Sequence, residues 1–264
     1  MIKYFSDAEG YDLFKRYCPH ANFIPKDLYN DWLENIYCYG VSEYDKPVSL
    51  DEAKDLYISL ITLGIRVEGQ QWIPANDFKN MLEIIQPMSY VLSQFAPEYF
   101  FPYLFLCRIF ELNKIADFFD IDLPGIPKRT DYEGRCMYYW ELCETFYEFR
   151  KKNGLSSAEL CAFLYDFAFN ILEKERVDIP QPAQAWFIGG LMYPEDLALE
   201  MKFWQSNQET KRGDILVHYE TLPVSAISCV EIALTNGVVD PLFRFYSNTY
   251  IGNRMDIPHI CLLY

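Results

Sequence analysis

The 264-residue sequence lacks most of the residue patterns that indicate common chemistries. It holds only three histidines, and no two of its eight cysteines form a Cys-x-x-Cys pair, so a structural zinc site is not expected. It contains no phosphate-binding P-loop, no Gly-x-Ser-x-Gly, no His-Glu-x-x-His and no dinucleotide-binding glycine fingerprint. Cys143 and Cys161 have no histidine near them in sequence, which disfavours a cysteine nucleophile. The sequence therefore favours a non-catalytic protein, and it predicts no cofactor and no metal.

Basic residues are also scarce. The chain has 23 Lys and Arg against 38 Asp and Glu, a net charge of −15. Residues 176–264 hold six basic and ten acidic residues, so most of the acidic excess falls in residues 1–175. A protein that holds duplex nucleic acid by its phosphates needs a basic face, because counterion release drives that binding. This argues against residues 1–175 as a DNA clamp, whereas the nearly neutral C-terminal part can still carry a local basic rim.

Long apolar runs are missing too. The longest, Tyr99–Phe110, is interrupted by Pro102 and Arg108 and is too short to span a bilayer. The first residues lack the apolar core of a signal peptide. We therefore expect a cytoplasmic protein with reduced thiols and no membrane partner.

Aromatic residues, in contrast, are abundant. They make up 17% of the chain, with 21 Tyr and 20 Phe, and apolar residues reach 51%. A chain of this length forms one or two domains with a sizeable core. Most of these rings must therefore fill the core.

The first 175 residues are predicted to be mostly helical. Ser49 with Glu52, and Ser156 with Glu159, have the spacing of helix-capping boxes. Two short apolar runs at 65–67 and 71–73 predict a small hairpin, and with the preceding helix they resemble a winged-helix unit within 49–75. The predicted helices are 25–39, 49–63, 76–95, 98–119, 131–152 and 158–173. Two of them have a clear buried stripe at helical spacing. In 131–152 the stripe consists of Cys136, Tyr139, Trp140, Cys143, Phe146, Tyr147 and Arg150, and in 158–173 it consists of Leu160, Phe163, Leu164, Phe167 and Ile171.

The chain changes character after residues 173–182, which are charged, contain Pro180 and Pro182, and are predicted to be a linker. Beyond them the apolar period shortens towards two. The predicted strands are 185–188, 215–219, 226–234 and 243–246, with a helix at 196–203 and an apolar, strand-like end at 260–264. The predicted fold class is α+β, with a helical domain at 1–175 and a small β-barrel domain at 183–264.

The most distinctive motif is Lys211-Arg212-Gly213-Asp214, which leads into the apolar run 215–219. Trp186 lies in the strand before it, and Ser225-Ala226-Ile227 and Asp240-Pro241 follow it. This order resembles the PUA-like superfamily, and within it the EVE and YTH-type barrels. The resemblance covers about the last 85 residues and does not extend to the helical part.

The resemblance implies that the barrel mouth accommodates a modified or unpaired nucleobase in an aromatic pocket, with the helical domain as adaptor. Stacking a base on an aromatic ring contributes on the order of 1–3 kcal/mol. Extruding a base from a nucleic-acid stack costs a few kcal/mol. The candidate ligand-binding residues are Trp186, Trp204, Asn207, Tyr219, Ser225, Phe243 and Tyr246. The candidates for contact with the nucleic-acid backbone are Lys202, Lys211, Arg212, Arg244 and Arg254.

Each candidate also has a structural interpretation. In the structural interpretation, residues 211–214 form a turn and bind nothing. Glycine then supplies the backbone dihedral angle that the turn needs, and aspartate accepts hydrogen bonds from the turn backbone. Trp186 can be a core residue of its strand, while Trp204 is predicted at a helix end in a polar neighbourhood. His218 and His259 are expected to be structural.

A second function remains open, that of a protein-interaction or scaffold protein. In this hypothesis the acidic, aromatic-rich helical domain binds a partner, and apolar material for the interface comes from Tyr99–Phe110 and from Tyr138–Trp140. A ring-lined concave pocket with a basic rim would favour the nucleobase hypothesis. A contiguous exposed apolar patch on residues 1–175 would favour the interaction hypothesis.

Overall fold

The computed structural model describes residues 26–67, 70–105, 109–168, 179–189, 202–206, 209–242 and 259–263, and the fold is mixed α+β as predicted. The chain divides into two compact units. Unit 1 comprises Met1–Lys174 and Pro241–Thr249, and unit 2 comprises Glu175–Asp240 and Tyr250–Tyr264. Among the described residues, no helix has both the length and the apolar character needed to cross a membrane.

The part of unit 1 that the structure describes consists of helices and a small hairpin. The hairpin follows the second helix and pairs β1 (Ile65–Val67) antiparallel with β2 (Gln70–Ile73), which confirms the predicted hairpin. The helices are α1 (Lys26–Cys38), α2 (Leu50–Leu63), α3 (Phe78–Phe95), α4 (Ile109–Phe119), α5 (Tyr132–Lys152) and α6 (Ser157–Ala162).

The core of unit 1 is rich in tyrosines whose hydroxyl groups donate to backbone carbonyls. The Tyr57 hydroxyl donates to the Cys136 carbonyl at 2.6 Å, and the Tyr139 hydroxyl donates to the Phe101 carbonyl at 2.7 Å. Burial raises the pKa of both tyrosines well above the usual value, so they remain neutral donors. Trp140 is fully buried beside them. The predicted buried stripe of α5 is confirmed.

The helix predicted over 98–119 is wrong at 98–105. Residues 97–99 form a turn and 100–105 are irregular, whereas the described helix α4 spans Ile109–Phe119. Backbone groups of this segment bond to side chains instead, since Phe101 accepts from Tyr139 and the Tyr103 amide donates to Ser89 Oγ at 2.8 Å. Pro102, which has no amide hydrogen, also opposes a continuous helix.

The helix ends follow ordinary capping chemistry. Ser156 and Glu159 form the predicted capping box at the start of α6. Helix α5 ends at Lys152 and is followed by Asn153 and by Gly154, which has a φ of +64°; the Leu155 amide donates back to the Arg150 carbonyl at 3.0 Å. Helix α4 ends the same way, since Asp120 has a φ of +54° and the Ile121 amide donates back to the Ala116 carbonyl at 2.9 Å.

Helix α6 does not continue as the regular helix predicted for 158–173. It passes into a π-helical turn at Phe163–Phe167. A π turn holds more residues than an α turn, so it shifts the phase of the buried stripe. As a result Leu164, Tyr165 and Ala168 are buried, whereas Phe167, predicted to be buried, is exposed.

The described strands of unit 2 form two three-stranded sheets. In the first, β3 (Ala185–Gly189) runs parallel to β5 (Ile215–Glu220), which pairs antiparallel with β6 (Ala226–Ile232). In the second, β8 (His259–Leu263) lies between β4 (Lys202–Ser206) and β7 (Val238–Val239). The strands that the structure describes do not form a closed barrel.

Most predicted strands of unit 2 are present, with one difference in type. The helix predicted over 196–203 overlaps β4, so Lys202 and Trp204 lie in a strand and Trp204 is not at a helix end. The strands predicted at 185–188, 215–219 and 226–234 correspond to β3, β5 and β6. The strand predicted at 243–246 lies outside the described residues.

Candidate binding surfaces

The Lys211–Asp214 turn is centred on a buried carboxylate. Asp214 is fully buried, and its Oδ2 accepts from the Lys211 amide at 2.9 Å, the Gln184 side chain at 2.9 Å and the Trp186 indole at 3.0 Å. Gly213 has a φ of +94°, and a Cβ there would lie 2.5 Å from the Pro180 carbonyl oxygen. The turn therefore connects the chain at 180–186 to the start of β5.

Asp214 remains ionised in this environment. Burial alone raises the pKa of a carboxyl group, but the hydrogen bonds from Lys211, Gln184 and Trp186 favour the charged form and outweigh it. The net result is a pKa of Asp214 below its ordinary value. The carboxylate acts as a fixed acceptor and holds the Trp186 ring in one orientation.

Strand register separates two of the predicted pocket residues. Trp186 pairs with Leu216, and Tyr219 pairs with Gly189. Because side chains alternate along a strand, Trp186 lies on the face of Leu216 and His218, and Tyr219 lies on the opposite face with Phe187 and Val217. These two rings therefore cannot line the same pocket.

The remaining predicted site residues fall into three groups. Ser225 precedes β6, and Lys211 and Arg212 precede β5, so the length of β5 separates them, roughly 20 Å for six residues. Only the backbone is described for Lys202 and Trp204. The other residues lie outside the described parts of the chain, namely Asn207, Phe243, Arg244, Tyr246 and Arg254.

One face of the β3–β5–β6 sheet is apolar and exposed. Phe187, Val217 and Val230 are direct cross-strand neighbours on this face. Phe187 is 73% exposed and Val230 is 60% exposed. Tyr219 lies on the same face, two residues after Val217 on β5. We refer to Phe187, Val217, Tyr219 and Val230 as the outer sheet face.

A second exposed apolar area lies on unit 1 and consists of five phenylalanines that are linked by successive ring contacts. Ring centroids lie 4.9 Å apart for Phe118 and Phe119, 4.8 Å for Phe119 and Phe163, and 5.0 Å for Phe149 and Phe163. Phe118 is 51% exposed and Phe167 is 54% exposed. We call Phe118, Phe119, Phe149, Phe163 and Phe167 the phenylalanine surface.

Sequence reasoning did not predict the phenylalanine surface. It assigned the interface to Tyr99–Phe110 and Tyr138–Trp140, whose described residues are largely buried in the core. The sequence gives little indication of this surface, because its five rings come from three separate elements, α4, α5 and the π turn. The 3.6-residue period of a regular helix also predicts that Phe163 and Phe167 lie in the core.

Exposed acidic residues flank the phenylalanine surface in sequence. Asp117 and Asp120 adjoin Phe118 and Phe119, and Asp166 adjoins Phe167. All three aspartates are exposed. An apolar area with an acidic margin fits a partner that carries both apolar and basic side chains.

Comparisons with known protein families, with curated proteins and with solved structures found no match for this chain.

Proposed function

We propose that this protein is a non-catalytic adaptor that binds another protein through the phenylalanine surface of unit 1. The observation that carries the proposal is the contact between five phenylalanine rings, of which Phe118 and Phe167 are about half exposed. Large exposed apolar patches are characteristic of binding sites. Aromatic residues are also enriched where protein interfaces are energetically strong.

The backbone that presents the rings supports this proposal. Phe163 and Phe167 lie at the two ends of a π-helical turn, and such turns occur frequently at functional sites. A regular α-helix through the same residues would turn Phe167 towards the interior, as the 3.6-residue period predicts. The fold thus uses a less common helical geometry at the position where an apolar ring is exposed.

The partner, in this proposal, is a basic amphipathic segment of another protein. Its apolar side chains contact the phenylalanine surface, and its Lys or Arg side chains face Asp117, Asp120 and Asp166. The net charge of −15 favours such a partner over an acidic one, because like charges at an interface are unfavourable. Charge complementarity also accelerates association at low salt.

Two of the described cysteines, Cys143 and Cys161, are poorly suited to act as nucleophiles, which supports a non-catalytic role. Burial raises the pKa of Cys143 and of Cys161 to about 12, so both thiols stay protonated and are poor nucleophiles. The thiol state of these residues also fits the cytoplasmic location that we propose.

A peptide selection tests the proposal. Random peptides are displayed and selected against the full-length chain at low salt, and the affinity of the enriched peptides is measured by fluorescence anisotropy. We expect enrichment of peptides that combine apolar residues with Lys and Arg. The double variant Phe118→Ser/Phe167→Ser should weaken their binding roughly 30-fold or more, since interface hot spots cost about 2 kcal/mol or more.

The matched control is Val48→Ser/Leu63→Ser, which removes two exposed apolar side chains outside the phenylalanine surface. This variant should bind the selected peptides as the parent chain does, and all variants should give the same far-ultraviolet circular dichroism. Peptides that bind the parent chain and the Phe118→Ser/Phe167→Ser variant equally would contradict the proposal.

The second candidate is the nucleobase-binding module suggested by the PUA-like resemblance, with the helical domain as adaptor. It is supported by the outer sheet face, where the exposed Phe187 ring and Tyr219 lie on adjacent strands. Aromatic rings on a sheet surface are a common platform for unpaired bases. In this version Phe187 replaces Trp186 among the residues proposed to contact the base.

Tryptophan fluorescence of the full-length chain, titrated with modified and unmodified nucleosides and short single strands, tests the second candidate. Saturable quenching that is lost in Phe187→Ser and retained in Phe118→Ser would support binding at the outer sheet face. Quenching that survives Phe187→Ser, or no quenching by any compound, would refute it for this set of ligands.

A further inference from the structure

The face of the β3–β5–β6 sheet opposite to the outer sheet face contains a cluster of three different potential metal ligands. One ring nitrogen of His218, the Sγ of Cys229 and a carboxylate oxygen of Glu231 all lie within 4.8 Å of one another. His218 is 2% exposed, and the Glu231 side chain is 11% exposed. This cluster belongs to neither surface described above.

The strand register explains why these three side chains converge. His218 on β5 pairs directly with Cys229 on β6, so their side chains point to the same face. Glu231 lies two residues beyond Cys229 on the same strand and therefore on the same face. Two adjacent strands thus present a nitrogen, a sulfur and an oxygen donor on one face of the sheet.

Apolar residues surround the cluster. Leu216 is fully buried two residues before His218, and Ile188, which pairs with His218 on β3, packs against Leu216 and Ala233. Placing a histidine and a glutamate in such surroundings is costly unless each has a partner of opposite charge or a bound cation. His218 Nε2 and Glu231 Oε2 lie 2.5 Å apart, which partly meets this need.

We propose that His218, Cys229 and Glu231 bind a single Zn²⁺ ion. Imidazole nitrogen, thiolate sulfur and carboxylate oxygen are the three ligand types that zinc accepts in proteins. A harder cation such as Mg²⁺ would prefer oxygen ligands only. Three protein ligands leave the fourth position of a tetrahedral ion for a water molecule or another ligand.

The distances require a small rearrangement on binding. Zinc–ligand bonds of about 2.0–2.3 Å place the ligand atoms of a tetrahedral site about 3.4–3.6 Å apart. Donor atoms that lie up to 4.8 Å apart would have to move closer together, by about 1 Å. The His218–Glu231 pair would open by a similar amount, so the ion replaces the direct contact between them.

The sequence did not predict this site, because the usual zinc signature is a pair of ligands a few residues apart in the chain. Here Cys229 and Glu231 are close in sequence, but His218 comes from the neighbouring strand. Only the pairing of β5 with β6 brings it to them.

Metal binding is tested on the full-length chain, prepared without a histidine tag and freed of metal by a chelator. Zn²⁺ affinity is measured by competition with a chromophoric chelator, and Co²⁺ is added as a spectroscopic substitute. We expect one Zn²⁺ per chain, and a near-ultraviolet charge-transfer band from a Co²⁺–thiolate bond. Zn²⁺ should also raise the melting temperature, because it binds the folded state.

Cys229→Ser tests the ligand set, with Cys38→Ser as the control because Cys38 is an exposed thiol outside the cluster. Loss of an outer-shell partner alone costs about 10–100-fold in metal affinity, so loss of a direct ligand should cost roughly 100-fold or more. Cys229→Ser should also lose the Co²⁺–thiolate band, and Cys38→Ser should retain both properties.

Glu231→Gln extends the test to a ligand that does not affect the thiolate band directly. It should lower Zn²⁺ affinity while the Co²⁺–thiolate band persists at saturating Co²⁺. The proposal is overturned if the parent chain retains no stoichiometric Zn²⁺. It is also overturned if Cys229→Ser, folded as judged by circular dichroism, binds Zn²⁺ as tightly as the parent chain.

Discussion

At the scale of single residues, Asp214 shows how a motif suggestive of binding acts as a structural element. Its carboxylate accepts hydrogen bonds from the turn, from the chain before β3 and from the Trp186 indole. The sequence identified the turn and the glycine within it. It could not show that Trp186 is a partner of Asp214, since this contact links residues 28 positions apart.

Asp214→Asn should destabilise unit 2 in a pH-dependent way. Asparagine keeps the size but loses the charge that four hydrogen bonds favour, so we expect a loss of about 1–3 kcal/mol at neutral pH. The folded-state pKa of Asp214 is lowered, so its stabilisation is complete above an unfolded-state pKa of about 3.9 and is lost as pH falls through the folded-state value.

Thermal unfolding of the parent chain and of Asp214→Asn, followed by circular dichroism at neutral and progressively acidic pH, checks this. The difference in stability between the parent chain and Asp214→Asn should be constant near neutral pH. It should become smaller in the acid range below about pH 4. A difference that does not change with pH would mean that the charge of Asp214 contributes no stability.

Gly213→Ala and Gly154→Ala should differ in cost, although both glycines have a positive φ. At Gly154 no atom lies within 4 Å of an added Cβ, so only the left-handed backbone is penalised, by about 1–2 kcal/mol. At Gly213 the Cβ would also clash with the Pro180 carbonyl. Urea unfolding should therefore rank Gly213→Ala as clearly the more destabilising, and an equal cost would contradict the close approach of Pro180 to Gly213.

At the scale of elements, sequence reasoning succeeded where one local pattern determines the structure. The amphipathic stripe of α5 and the capping box of α6 depend only on residues close in sequence, and both are present. It failed at 98–105, where an apolar run has the composition of a buried helix but bonds its backbone to side chains of other elements. Such contacts cannot be inferred from periodicity.

Ser156→Ala should destabilise the chain by about 1 kcal/mol, the usual cost of removing an N-cap. Ser156 Oγ accepts from the Glu159 amide, and the Glu159 carboxylate accepts from the Ser156 amide, so the substitution removes one half of a reciprocal pair. Thermal unfolding measures the cost. The control is Ser157→Ala, at the next position, which removes only an exposed hydrogen bond from Ser157 Oγ to Glu98 Oε1. A loss as large as that of Ser156→Ala would argue against capping.

At the scale of the whole molecule, the acidic charge is the property that the sequence establishes most directly. The net charge of −15 is independent of the fold, and it argues for basic partners. The position of the proposed contacts was not predictable, because the phenylalanine surface and the His218–Cys229–Glu231 cluster each join residues from different elements.

Binding of the selected basic peptides should therefore weaken with salt. Replacing Asp117 and Asp120 with lysine reverses the charge at the margin of the phenylalanine surface, which should mainly slow association. Stopped-flow fluorescence at several salt concentrations measures this rate. Charge reversal of Glu34 and Asp51, which are exposed on other helices, is the control, and an equal effect from both pairs would show that only the net charge matters.

The π turn at Phe163–Phe167 makes the exposure of Phe167 dependent on a single surplus residue in the chain. A regular α-helix that kept every residue of this turn would rotate the residues after it by about 100° around the helix axis, and Phe167 would turn away from the surface. Deleting one residue has a different effect, because it removes the surplus residue, restores α-helical geometry and leaves Ala168 on its buried side. The chain can therefore gain or lose one residue at this turn while Ala168 keeps its place in the core.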